Sequence, residues 1–138
     1  MNTPFMLGIL ALVAIGLEQF MRKVAGASGV YGPSFMLAAV PAFVLMTILM
    51  HFFQKHSFSL SPKMMGVGSL SGIFGAISVF AVLLAFRLGG HGSTIFPLVG
   101  LGMIVSAGLS FIVYSEPVTA TKLLGLGLGV GSIIALSR

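Results

Sequence analysis

Apolar residues in this chain do not alternate with polar ones at a strand period, nor do they form one stripe of an amphipathic helix. They come as five nearly unbroken runs separated by short stretches of Gly, Ser, Pro and charge. The runs are 5–21, 35–53 after "GASGVYGPS", 64–86 after "QKHSFSLSPK", 94–114 after "RLGGHGS", and 119–136 after "SEP". A helix needs about 20 apolar residues to cross a bilayer. Lipid offers no partner to open backbone groups, so each run is expected to be helical. "LGLGLGVG" at 124–131 alternates like a strand, but it is too apolar and isolated for a barrel. Pro41 falls inside span 2 and is expected to kink it. Pro97 lies near the start of span 4, where a proline costs less. The short connections make neighbouring spans antiparallel. The expected fold is all-α: an integral membrane bundle of five transmembrane helices forming one domain over residues 1–138.

Composition supports this. Of the 138 residues, 57% are hydrophobic and 7% charged. Soluble domains carry about 25% charged residues, so this chain lacks the polar surface a water-facing fold needs. The formal net charge of +5 comes from seven Lys and Arg, placed singly or in one pair, with no basic stripe. That distribution argues against nucleic acid and suits headgroup contacts. Cysteine is absent, which excludes disulfides and thiolate sites. The start, "MNTPFMLG", lacks a basic n-region and a small-residue cleavage site and reads as the beginning of span 1. Five spans put the termini on opposite sides. One side then holds Arg22, Lys23, Arg87 and Arg138, the other Lys55, Lys63 and Lys122. The positive-inside rule needs a clear bias, and this balance permits either orientation.

Glu18 is the sharpest chemical feature. It is one of only two acidic residues, and it follows a charge-free run from Phe5 to Leu17. Carboxylates at membrane depth usually face a cavity or a partner. Glu18 and Arg22 are also spaced i, i+4, so they can bridge locally near the helix end. The two readings are compatible, and Glu18, Gln19 and Arg22 form the candidate substrate- or proton-binding group.

Small residues mark expected helix contacts: Gly68 and Gly72, with Ser71 and Gly75, in span 3, and Gly125, Gly127, Gly129 and Gly131 in span 5. Such spacing lets helix backbones approach closely in lipid. Span 5 carries glycines on nearly every face, which suits contacts on two sides and a dimer seam. His51, His56 and His91 lack the spacing and carboxylate neighbours of a metal site. No nucleophile elbow, P-loop or dinucleotide fingerprint is present, so neither catalysis, a metal nor a cofactor is expected.

At "SEPVTATKLLGLGLGVGSIIALSR" the chain resembles the last helix of a drug/metabolite transporter repeat of the EamA type. That family shows an acidic residue, a short turn, then a glycine nine positions on, matched here by Glu116, Pro117 and Gly125. A second family glycine falls at Ser132, beside Gly131. In span 1 the family's glycine and the basic residue seven positions later match Gly16 and Lys23, with Ile15 in place of a tryptophan. Glu18 stands where the family commonly has a small or polar residue. Span 4, containing Pro97, is similar to the family's penultimate helix and to that of the small subunits that flip lipid-linked aminoarabinose.

The resemblance implies transport. Most members carry two inverted repeats, and a path of that kind needs both. A single repeat implies two copies in opposite orientation, as in the similar small multidrug resistance proteins. Their span-1 glutamate aligns about one turn earlier, near Ile15. The expected function is a membrane transporter subunit in the cytoplasmic (inner) membrane. It would move a small metabolite, cation or lipid-linked head group as an antiparallel homodimer or a heteromer with a related chain, with proton coupling through Glu18. The alternative is a non-transporting membrane subunit that docks on another membrane protein.

Overall fold

The computed structural model describes residues 3–54, 56–115 and 117–136. Among them all regular structure is helical: α1 (Thr3–Ala27), α2 (Gly32–Gln54), α3 (Pro62–Arg87), α4 (Gly92–Gly100), α5 (Gly102–Tyr114) and α6 (Ala120–Leu136). The five apolar runs are thus five helical segments, the fourth interrupted at Leu101. Four are long and apolar enough to cross a membrane: α1, α2, α3 and the continuous stretch Gly92–Tyr114. α6, at 17 residues, is about 26 Å long at ~1.5 Å per residue.

The helix ends follow local chemistry. Ser61 caps α3, its hydroxyl accepting from the Met64 N–H at 3.3 Å, and Pro62 follows at the first helical position, where its missing N–H costs nothing. α1 closes with a Schellman turn: Gly29 takes φ +71°, Gly29 N–H donates to Gly26 O and Val30 N–H to Ala25 O. α3 ends similarly, with Gly89 at φ +90° and its N–H on Phe86 O.

One expectation changes: α1 does not stop at Met21 but runs through the basic pair to Ala27. α2 holds Pro41 within one continuous helix, and an interruption falls in span 4, between Gly100 and Gly102. There Leu101 N–H is shared between Pro97 O and Leu98 O, and Ile104 N–H reaches Leu101 O, a tight i to i+3 pattern. Two glycines flanking one leucine weaken the helix there.

The chain divides into two compact units, Met1–Gly89 and Gly90–Arg138. In the first, α3 packs against both α1 and α2; in the second, α4 packs against α6. Side-chain burial is slight. The buried apolar residues are Ala25, Val82, Leu83 and Phe86, whereas Phe43 and Phe53 are 76% and 85% exposed. Exposed apolar area on this scale is incompatible with water and requires lipid around the helices.

The tightest packing lies where α1 meets α3. Arg22, Ala25 and Gly26 form one buried stripe of α1, facing Val82, Leu83 and Phe86 of α3. A Cβ at Gly26 would sit 2.7 Å from Phe86 Cβ and 2.9 Å from the Leu83 carbonyl. Neither atom is the mobile end of a side chain, so a methyl group forces the helices apart. Gly32, at the start of α2, comes within van der Waals reach of Phe80.

Gly26→Ala is therefore expected to lower stability by about 1–3 kcal/mol through overpacking, read as a drop in thermal midpoint in detergent micelles. Gly8→Ala, where no atom lies within 4 Å, should leave the midpoint unchanged or raise it. Equal midpoints for Gly26→Ala and wild type would mean the seam is looser than described.

Candidate functional site

Extension of α1 to Ala27 changes the place of Glu18 along the helix. The helix midpoint is Ile15, so Glu18 lies about 5 Å from the midpoint and about 14 Å from the C-terminal end at ~1.5 Å per residue. It is not at a helix end. For a helix centred in a ~30 Å hydrocarbon layer, Glu18 sits well inside it, where a charged residue costs about 2.5–3.5 kcal/mol on insertion scales.

Arg22 offsets that cost. Its Nη2 donates to Glu18 Oε1 one turn away, an ion pair within α1. The two side chains are unequally placed: that of Arg22 is 10% exposed and that of Glu18 57%. Arg22 belongs to the stripe that continues into Ala25 and Gly26 against α3. Glu18 stands one turn further from the seam, with a face left open.

That face opens on a cavity of about 570 Å³ walled by α1, α2 and α3. Glu18, Met21 and Arg22 come from α1, Phe35 to Phe43 line one side from α2, and Gly72, Ala76 and Val79 line the other from α3. Among the described residues, Glu18 and Arg22 are its only charged lining groups. Small residues make the space: a Cβ at Gly72 would meet nothing within 4 Å. Pro41 lies within α2 beside these lining residues. It has no N–H, so the carbonyl of Leu37, another lining residue, loses its i+4 donor.

Gln19 faces away from this cavity's lining. Its Oε1 is buried without a hydrogen-bond partner among the described residues. Of the motif residues, Gly16 is open on its Cβ side and Lys23 is half-buried on α1. Gly68 contacts nothing within 4 Å. Pro97 lies inside α4. Pro117 accepts from Lys122 Nζ at 3.1 Å. Glu116, and the Lys55 and Arg138 of the charge count, lie outside the described residues.

In the second unit, Gly125 and Gly129 line a groove of about 370 Å³ with Met103, Ala107, Phe111 and Lys122. Lys122 Nζ also sits 5.8 Å from the centre of the Phe111 ring. Gly127 and Gly131 fall half a turn away, on the opposite side of α6. The glycine run thus splits into an inner pair, used within the unit, and an outer pair. The residues that sequence reasoning missed are those of the seam: Gly26 reads as a turn signal in "GASGVYGPS", yet it lies within α1, and of that stretch only Gly29 takes a positive φ.

The class this defines is an all-helical membrane protein with an ion pair well inside its first long helix, facing an apolar cavity. The chain matches no family model, no curated protein and no solved structure.

The ion pair is testable by a double-mutant cycle of Glu18→Gln and Arg22→Gln. Contacting pairs couple by about 0.5–3 kcal/mol, and this pair is expected to fall in that range. Arg22→Gln should be the costlier single change, because it disturbs a buried side chain. Additive changes in unfolding free energy would show that the pair contributes nothing.

Proposed function

We propose that the chain is a membrane transporter subunit, and that the cavity of α1–α3 is where its substrate binds. The observation that carries this is the Glu18–Arg22 pair at membrane depth, opening on an apolar space large enough for a small molecule. Small-molecule sites span about 300–1,000 Å³ and set a few polar groups among apolar walls. Charged residues inside a membrane-spanning helix usually mark substrate or ion pathways. A purely structural pair gains nothing from an adjoining void. The resemblance to EamA-type repeats supports the same reading, and with it the cytoplasmic (inner) membrane as the proposed location. In this scheme Glu18 exchanges its bond to Arg22 for a proton or a substrate group as access alternates.

Transport is tested by loading proteoliposomes from a mixture of isotope-labelled polar metabolites and identifying retained solutes by mass spectrometry. Wild type should accumulate at least one solute above protein-free vesicles, and Glu18→Gln, with an unchanged circular dichroism spectrum, should not. Identical profiles for wild type, Glu18→Gln and empty vesicles would overturn the proposal.

A single repeat calls for a second copy, and the near-even placement of basic residues is compatible with opposite orientations. The outer face of α6, with Gly127 and Gly131, is the proposed seam. Gly127→Leu should abolish cross-linking of the dimer in bilayers. Gly129→Leu, which projects into the groove of its own unit, should retain it. Equal dimerisation of Gly127→Leu and wild type would place the seam elsewhere.

A further inference from the structure

We infer that the α1–α3 cavity selects a dipolar ion: a ligand with an apolar body and a head group carrying one positive and one negative charge, neutral overall. The inference rests on the proposal that this cavity is the binding site, and it specifies the chemistry of what binds.

The argument is electrostatic. Among the described residues, the lining holds one carboxylate and one guanidinium, in contact with each other, and no other charge. The wall as a whole is neutral. Buried charge is strongly disfavoured unless paired, so a cation entering beside Glu18 brings net charge into a low-dielectric space and meets Arg22 one turn away. An anion beside Arg22 meets Glu18. A dipolar ion adds no net charge, and each of its groups finds its complement: ammonium on Glu18, carboxylate or phosphate on Arg22.

Geometry fits this pairing. Only one Arg22–Glu18 hydrogen bond joins the two side chains, while a guanidinium has five donors and a carboxylate about four acceptor positions. Both groups retain capacity on the cavity side. The Leu37 carbonyl, without its i+4 donor, is a further acceptor on the facing helix. The remaining walls, Met21, Phe35, Met36, Val40, Phe43 and Val79, offer only apolar and aromatic contact, which suits a body of matching character. A dipolar head on an apolar body has two sources, a free amphipathic amino acid and a zwitterionic phospholipid.

Three probes with one phenyl body and different charge separate the possibilities: L-phenylalanine, 2-phenylethylamine and 3-phenylpropanoate. Equilibrium dialysis against the full-length protein in maltoside micelles, corrected for empty micelles, gives each Kd. Phenylalanine should bind at least tenfold more tightly than either singly charged probe. Glu18→Gln should shift the preference to phenylpropanoate, because Arg22 is left uncompensated. Arg22→Gln should shift it to phenylethylamine; where that variant does not fold, Glu18→Gln alone carries the test. Adding phosphatidylethanolamine to the micelles distinguishes the sources: displacement of phenylalanine identifies a lipid head group, no displacement a soluble solute, and either supports the dipolar chemistry. The inference is overturned if phenylethylamine or phenylpropanoate binds wild type as tightly as phenylalanine, if none of the three binds, or if the variants keep the wild-type order. Those results leave the metabolite accumulation assay standing, so the transport proposal and the dipolar-ion inference fail separately.

Discussion

The rest of this structure depends on one constraint: the solvent around the helices is itself apolar. In water, burying Leu and Phe side chains drives helices together. In lipid that drive disappears, because the tails are as apolar as the side chains. The helices therefore leave most of their Leu, Ile and Phe facing outward. They meet where small residues let backbones approach and dispersion contacts accumulate. Gly26 against Leu83 and Phe86 is such a place, and the buried apolar residues of the chain cluster around it.

The same constraint makes polar groups costly and so informative. Every backbone N–H and C=O must be satisfied within its own segment, which explains the helices, the Schellman turn after α1 and the Ser61 cap. A side chain that breaks this economy needs a partner. Glu18 has one in Arg22. Gln19 Oε1 has none among the described residues, and a buried acceptor left unpaired costs about 1–3 kcal/mol. Both anomalies fall within one turn of α1, on the helix that also forms the seam.

The helices were legible in the sequence because length and hydropathy are one-dimensional properties. Five runs became five helical segments, and their ends differ from the expected ones by a few residues, most at α1. There the basic pair does not end the helix: Arg22 is buried in the seam, and α1 continues toward a glycine that adopts φ +71°. The pairing of Glu18 with Arg22 was legible from i, i+4 spacing alone. Its place well inside α1 was not, since that follows from where the helix ends. The cavity was not legible either. It arises because Gly72 and Ala76 of α3 come to lie opposite Phe35–Phe43 of α2, a juxtaposition across some 35 residues that no local pattern encodes. The interruption at Leu101 was not legible from Pro97, because the weak point is the Gly-Leu-Gly that follows it.

Stability and site are joined through α1. Arg22, Ala25 and Gly26 share a stripe, so the contact that fixes α1 against α3 also withdraws the guanidinium from its surroundings. Withdrawing it ties Arg22 to Glu18, because a buried cation without a counter-charge is far more costly than an exposed one. Glu18 is then held one turn from the seam, at the rim of the space that the small residues of α3 leave open. The tight seam and the open cavity thus have one origin: glycine and alanine placed where α3 faces its neighbours. At Gly26 the missing side chain lets two helices touch, and at Gly72 it leaves room for something else. Which outcome follows depends on what stands opposite. At Gly26 it is a helix backbone. At Gly72 the facing residues of α2 stand back, and the only charges on the lining are the pair that α1 brings to it.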